Sequence, residues 1–209
     1  MAIERFDLLL LPGDFGNVGL IRMLGRWLEK RGLRGLGVYG NHEERYVVGV
    51  TAYGSFRLLG FGEVTSIEGV EILGVPGVRG KRKWYHWSDQ DILRILRCGA
   101  KADWILAHEM PYGLADACRG NLRCGQASLR ALVEHLKPVL YVGGHLHGPP
   151  QVAIYRSTLV IKCGTLSNRM SDNFWISFID TNAMDIQHYQ CSRVDESCIE
   201  YSVDVEEKG

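Results

Sequence analysis

The stretch Gly143-Gly144-His145-Leu146-His147, directly after the apolar run Val139–Val142, restricts this chain more than any other segment. Two histidines separated by one residue at the mouth of a strand make a pair of divalent-metal ligands, because each imidazole binds through one ring nitrogen. The two glycines let the backbone turn sharply and approach whatever sits there. His-x-His also occurs on ordinary strands, so the pair gains its meaning from three partners upstream. Gly13-Asp14, Gly40-Asn41-His42 and the isolated His108 each follow a short apolar run that reads as a buried strand, namely Leu8–Leu11, Leu36–Tyr39 and Trp104–Ala107. Four strand ends that deliver Asp, Asn or His imply one polar site at the carboxyl edge of a sheet.

The chain around these motifs suits one compact domain spanning 1–209, with 46% hydrophobic and 23% charged residues. Its 24 basic and 24 acidic residues cancel, so a broad nucleic-acid footprint is not expected. The basic run Gly80-Lys81-Arg82-Lys83 is too short to change that. There is no uncharged apolar stretch of about 18 residues and no apolar core of signal-peptide length at the start. The expectation is a cytoplasmic protein with no membrane partner. Six cysteines show no C-x-x-C pair, which argues against a structural zinc knuckle. In a reducing compartment they read as free, mostly buried thiols. Cys118/Cys124 and Cys191/Cys198 are close enough for local bridges in an oxidising or hyperthermophilic setting.

Taken in order, Phe6–Leu11 reads as a central strand and Asn17 as the cap of a helix with apolar positions Leu20, Ile21, Leu24, Trp27 and Leu28. That helix stops at Gly32, and Leu36–Tyr39 returns as the next strand. A right-handed crossover makes the two strands parallel and brings Asp14 and Asn41 together. A short helical segment is expected near Glu44–Gly49, then a meander of Phe56–Leu59, Val64–Ile67 and Val70–Val75. Pro76 to Trp87 is a loop rich in cations and aromatics. Its Arg79, Lys81, Arg82 and Lys83 read as a solvated face, with contact to the far end of a phosphorylated substrate as the alternative, and His86 reads as exposed. Ser88 caps a helix through Arg97, and a second helix covers Gln126–Leu136. Val152–Tyr155, Thr158–Lys162, Trp175–Asp180 and Ile186–Gln190 read as an antiparallel edge. His135 and His188 read as surface residues, and the polar tail after Ser192 as prone to fray.

Gly13-Asp14, Gly40-Asn41-His42-Glu43, His108 and Gly144-His145-Leu146-His147 together resemble, in order and spacing, the motifs of the calcineurin-like metallophosphoesterase family. That signature is D-x-H, G-D, G-N-H-[DE], a lone His and G-H-x-H. The segment after His108 resembles the family's H-x-P-P-like stretch, and Lys162-Cys163-Gly164-Thr165-Leu166 resembles the turn after its last core strand. The resemblance runs from Phe6 to Asp180. It implies an α/β fold, a four-layer αββα sandwich with a dinuclear site between two sheets.

The D-x-H motif is absent: no Asp-x-His occurs anywhere in the chain, and only twelve residues precede Gly13. The expectation is a chain without the first βα unit, roughly 30 residues, or a recorded start that falls too late. By resemblance, Asp14 bridges two metals, and Asn41, His108 and His145 complete the shell of one. The other keeps Asp14 and His147 alone, a poor anchor. The implied cofactors are one or two divalent ions (Mn, Zn, Fe or Ni). The implied reaction is hydrolysis of a phosphomonoester or phosphodiester by a metal-activated hydroxide, with His42 as the acid and Glu43 as a candidate to orient its ring. The substrate class is a phosphorylated small molecule or nucleotide. A sheet edge left open by the missing strand makes a homodimer a further expectation. The rival reading is a degenerate, non-catalytic member of the fold that serves as a binding scaffold.

Overall fold

The computed structural model describes residues 6–16, 18–43, 52–118, 122–164, 173–181, 183, 185–192 and 198–208. It opens with strand β1 (Leu8–Leu11), helix α1 (Val18–Glu29) and strand β2 (Arg34–Gly37), with β1 and β2 parallel and Leu8 level with Arg34. Strands β3 (Ala52–Tyr53) and β4 (Phe56–Leu58) complete a four-stranded sheet of order β1-β2-β4-β3. Within that sheet β1 lies at one end, with β2 as its partner among the described residues. The cap expected at Asn17 and the helical segment expected near Glu44–Gly49 lie outside the described residues.

The chain then changes sheets. Strands β5 (Val64–Ile67) and β6 (Val70–Val75) form an antiparallel pair. After β7 (Val78–Arg79) and β8 (His86–Trp87) come helix α2 (Asp89–Arg97), β9 (Trp104–Ala107), helix α3 (Ala127–Leu136) and β10 (Leu140–Gly143). Strands β11 (Gln151–Tyr155), β12 (Thr158–Lys162) and, near the C-terminus, β16 (Val205–Lys208) complete a seven-stranded sheet of order β16-β11-β12-β10-β9-β6-β5. The meander expected from Phe56 to Val75 is therefore not formed, because β4 runs parallel to β2 in the first sheet. A turn through Gly60–Glu63 carries the chain across, with Gly62 at φ +74° and the Glu63 carboxylate accepting the Gly60 N–H at 2.7 Å.

The antiparallel edge is also split. β11 and β12 are antiparallel, yet β12 runs parallel to β10 inside the large sheet. Strands β13 (Asn173–Asp180), β14 (Asp185–Ser192) and β15 (Cys198–Tyr201) form a separate antiparallel sheet. Within the tail expected to fray, the described residues 198–208 include β15 and β16. A Cys191–Cys198 disulfide joins β14 to β15, and Arg123 bonds Glu206 of β16 at 3.1 Å while holding Asp116 at 3.0 Å. A second disulfide, Cys118–Cys124, closes the loop before α3, so four of the six cysteines are bridged, and the free Cys98 is exposed. His188 is buried, not on the surface: it sits on β14 with its Nδ1 2.7 Å from the Ser177 hydroxyl.

Period-two alternation divides the apolar residues among three clusters. Leu9 and Leu11 face α1, packing with Ile21, Leu28 and Phe56, whereas Leu8 and Leu10 face the other way. There they meet Leu36, Val38, Ile72, Leu106, Val142 and Ile161, which joins the two sheets. The opposite residues of the large sheet, Leu73, Ile105, Tyr141 and Val160, pack against Ile92 and Ile95 of α2 and Leu129 and Leu132 of α3. Each such aliphatic side chain contributes roughly 1.5–3 kcal/mol on burial. The joined sheets thus hold the ends of β1, β2, β9 and β10 in a fixed relation. Among the described residues no helix is long and apolar enough to cross a membrane.

Helix α1 approaches the first sheet closely only because position 25 is glycine: a Cβ there would overlap the Tyr53 carbonyl. Gly25→Ala gains up to about 1 kcal/mol of helix propensity but meets an overpacking cost of about 1–3 kcal/mol. The expected result is a net loss of stability in urea unfolding; a gain would contradict this packing.

Candidate metal centre

β1 ends at Leu11, and after Pro12 two residues take left-handed backbone, Gly13 at φ +96° and Asp14 at φ +57°. Gly13 has no alternative, since a Cβ would collide with the His108 ring and the Gly40 backbone. Asp tolerates the left-handed region better than most residues, and here its carboxylate is fixed from outside. Oδ1 accepts the backbone N–H groups of Asn41 and His42 at 3.0 and 3.1 Å. Gly40 allows that approach, because a Cβ would run into the same carboxylate. His145 is also left-handed, at φ +63°. Two proposed ligands therefore sit in costly backbone, on the order of 1–3 kcal/mol each, a feature that clusters at functional sites.

His108 is fully buried at the end of β9. Its Nδ1 lies 2.6 Å from the Pro12 carbonyl, which can only accept, so Nδ1 carries the hydrogen. Nε2 lies 3.1 Å from Asn41 Oδ1 and 3.5 Å from Asp14 Oδ2. Burial pushes the His108 pKa down, against the pull of Asp14, which favours the neutral ring with Nε2 turned toward the Asn41 and Asp14 oxygens. The His145 ring meets His108 at a centroid distance of 5.0 Å and 61°. Burial first, then neighbouring His108, lowers its pKa to about 4. Ligating atoms of Asp14, His108 and His145 all lie within 4.8 Å of one another. Neutral imidazoles, a carboxylate and an amide oxygen converging without a proton between them could hold a divalent metal ion.

The structure brings Asp14, Asn41, His108 and His145 together and leaves His42 and His147 outside that group. Both are exposed, though their charge is felt at His145. Glu43 does not orient His42. It is buried, and its two oxygens accept the N–H groups of Phe15, at 2.7 Å, and Gly40. This carboxylate clamps the two ligand-bearing loops to each other, and burial followed by the charge of Asp14 raises its pKa to about 7. Glu109 plays the matching part after His108: it accepts Arg79 N–H at 2.6 Å and the Gln126 side-chain amide at 2.9 Å. Neither clamp was foreseen, although an acid directly after a motif histidine is visible at both places.

Lys162 is buried at the end of β12, where its Nζ donates to the Ala117 carbonyl at 3.4 Å, and burial lowers its pKa to about 8. Thr165 and Leu166, the end of the turn read beside it, lie outside the described residues.

No protein-family model matches this chain, and no curated protein matches it. Solved structures do. The crystal structure of TT1561 of Thermus thermophilus is 16% identical with a TM-score of 0.64, over 87% of this chain and 85% of that one. A protein characterised as a novel archaeal phosphodiesterase is 12% identical with a TM-score of 0.52, over 90% and 84% of the two chains. At these identities the likeness is one of fold, a mixed α/β arrangement of parallel and antiparallel strands.

Glu43→Ala leaves the buried Gly40 N–H and the part-buried Phe15 N–H without acceptors, at up to about 1–3 kcal/mol each. Such outer partners typically govern metal affinity by 10–100-fold. The variant is expected to unfold at lower urea and to bind Mn²⁺ at least about tenfold more weakly by calorimetry. Unchanged affinity would show that the clamp does not position the donors.

Proposed function

We propose that this chain is a metal-dependent phosphoesterase with a four-layer αββα arrangement of the calcineurin-like metallophosphoesterase type. The observation that carries the reading is the convergence of Asp14 Oδ2, Asn41 Oδ1 and His108 Nε2, with His145 beside them. The distribution of apolar residues supports the layering: α1, first sheet, shared apolar layer, second sheet, then α2 with α3. The fold likeness to an archaeal phosphodiesterase agrees with hydrolysis of phosphodiesters or phosphomonoesters.

Asp14, Asn41, His108 and His145 would hold one Mn, Zn, Fe or Ni ion. When bound, it supplies Lewis acidity toward a phosphoryl group and lowers the pKa of water beside it. Asp14 brings the negative charge, and the Asn41 and His42 N–H groups keep its second oxygen turned away from the other donors. His42, exposed at the rim, is the proposed acid that gives a proton to the leaving alkoxide. His147 stands apart from the donor set, which favours one tightly held ion over two. That same feature favours the second reading, a non-catalytic scaffold of this fold.

Asp14→Asn and His42→Asn should fail differently. The first removes the only carboxylate of the set, so metal content after dialysis and hydrolysis of bis(p-nitrophenyl) phosphate should both collapse. The second should keep the metal and lower turnover of alkyl esters by roughly 10²–10⁴-fold. The effect should be smaller with p-nitrophenyl esters, whose leaving group scarcely needs a proton. Loss of metal in both variants would refute the division of roles, and no metal-dependent hydrolysis by the parent chain would leave the scaffold.

A further inference from the structure

The segment from Pro76 to Trp87 leaves the carboxyl end of β6, the strand beside β9, and is tied to both loops that carry the donor set. The Gly77 N–H donates to the Tyr39 carbonyl at 2.7 Å, one residue before Gly40. The Arg79 N–H donates to Glu109, one residue after His108. The Trp84 ring packs on Tyr39 with centroids 5.4 Å apart, and Tyr85 meets Trp84 edge-on at 5.3 Å. Within the loop, His86 Nδ1 accepts the Arg82 and Lys83 N–H groups at 3.0 and 3.2 Å. The histidine expected to be exposed is half-buried instead, and the loop folds around it.

The cations of this loop divide into two kinds. Arg79 is neutralised by Asp89 through two bonds of 2.8 and 2.6 Å. Lys81, Arg82 and Lys83 are exposed and have no carboxylate partner among the described residues. Lys83 Nζ instead lies 5.4 Å from the Tyr85 ring centroid. Three adjacent like charges repel, and the Arg82 and Lys83 backbone is held by His86. A chain spans at most ~3.3–3.6 Å per residue, so all three stay within roughly 11 Å of chain from Trp84. The cations are thus carried on a loop fastened at Arg79 to Glu109 and at Trp84 to Tyr39, each a residue or two from a member of the donor set.

Resting on the phosphoesterase reading, we infer that Lys81, Arg82 and Lys83 form a second anion subsite, and that the substrate is a phosphoester carrying a further phosphate beyond the scissile one. Exposed lysine and arginine bind such a group through charge-assisted bonds that salt weakens. Tyr39 and Trp84 are positioning residues, since they hold the loop and touch no substrate in this scheme.

The test compares two substrates of the Mn²⁺-loaded full chain that release the same p-nitrophenolate. Bis(p-nitrophenyl) phosphate has one anionic group, and thymidine 3′-phosphate 5′-(p-nitrophenyl phosphate) has a second phosphate. In the variant Lys81→Ala/Arg82→Ala/Lys83→Ala, the ratio of kcat/KM for the second over the first should fall about tenfold, the scale of one charged hydrogen bond. A ratio unchanged within about twofold overturns the subsite. Trp84→Ala keeps all three charges and should still lower the ratio about threefold by releasing the loop; no change there overturns the placement, and the subsite with it. If the parent chain hydrolyses neither substrate, the phosphoesterase reading fails by itself. The subsite is then read from calorimetric binding of thymidine 3′,5′-bisphosphate, which the triple variant should weaken about tenfold. Absent binding, or equal binding by parent and variant, overturns it.

Discussion

The hydrogen bond from His108 Nδ1 to the Pro12 carbonyl is the contact on which the proposed centre depends. Pro12 directly follows β1 of the first sheet and His108 directly follows β9 of the second, so one bond both bridges the sheets and places a hydrogen on Nδ1. With a hydrogen committed to Nδ1, the neutral ring turns its Nε2 lone pair toward Asn41 Oδ1 and Asp14 Oδ2. Burial opposes a second proton on the ring. Lone pairs gathered in this way repel one another, and a divalent cation is the partner that turns the repulsion into binding.

Much of the surrounding structure serves to keep that arrangement from relaxing. Left-handed backbone at Asp14 and His145 costs free energy that an unconstrained loop would shed. It is retained because Glu43 joins the Phe15 and Gly40 amides, Asp14 holds the Asn41 and His42 amides, and the Gly144 N–H donates to the His108 carbonyl at 3.0 Å. Beneath these loops, the apolar layer shared by the sheets fixes the strand ends. The glycines at 13 and 40 keep space for an imidazole and a carboxylate.

The parts that were legible in the sequence are those set by local pattern. Leu8–Leu11 and Trp104–Ala107 are strands as read, the Ser88 N–H donates to the Asp91 carboxylate at the start of α2, and Asp14 lies against Asn41 as the βαβ argument requires. Sheet membership was not legible, because Phe56–Leu58 and Val64–Ile67 are short runs whose residue pattern is the same whichever sheet they join. His188 looked superficial between Gln187 and Tyr189, yet a further sheet packs over the apolar layer through Ile179 and Ile186, beside β14's buried face. Glu43 and Glu109 stood beside motif histidines, but their role is in backbone amides that no residue pattern displays.

X-ray absorption on the full chain loaded with one equivalent of Zn²⁺ tests the central claim most directly. The account predicts nitrogen and oxygen neighbours at about 2.0–2.2 Å, with outer-shell scattering from two imidazoles. His108→Ala should remove the contribution of one. Sulfur scattering near 2.3 Å, or a spectrum without imidazole, would contradict the centre described by Asp14, Asn41, His108 and His145.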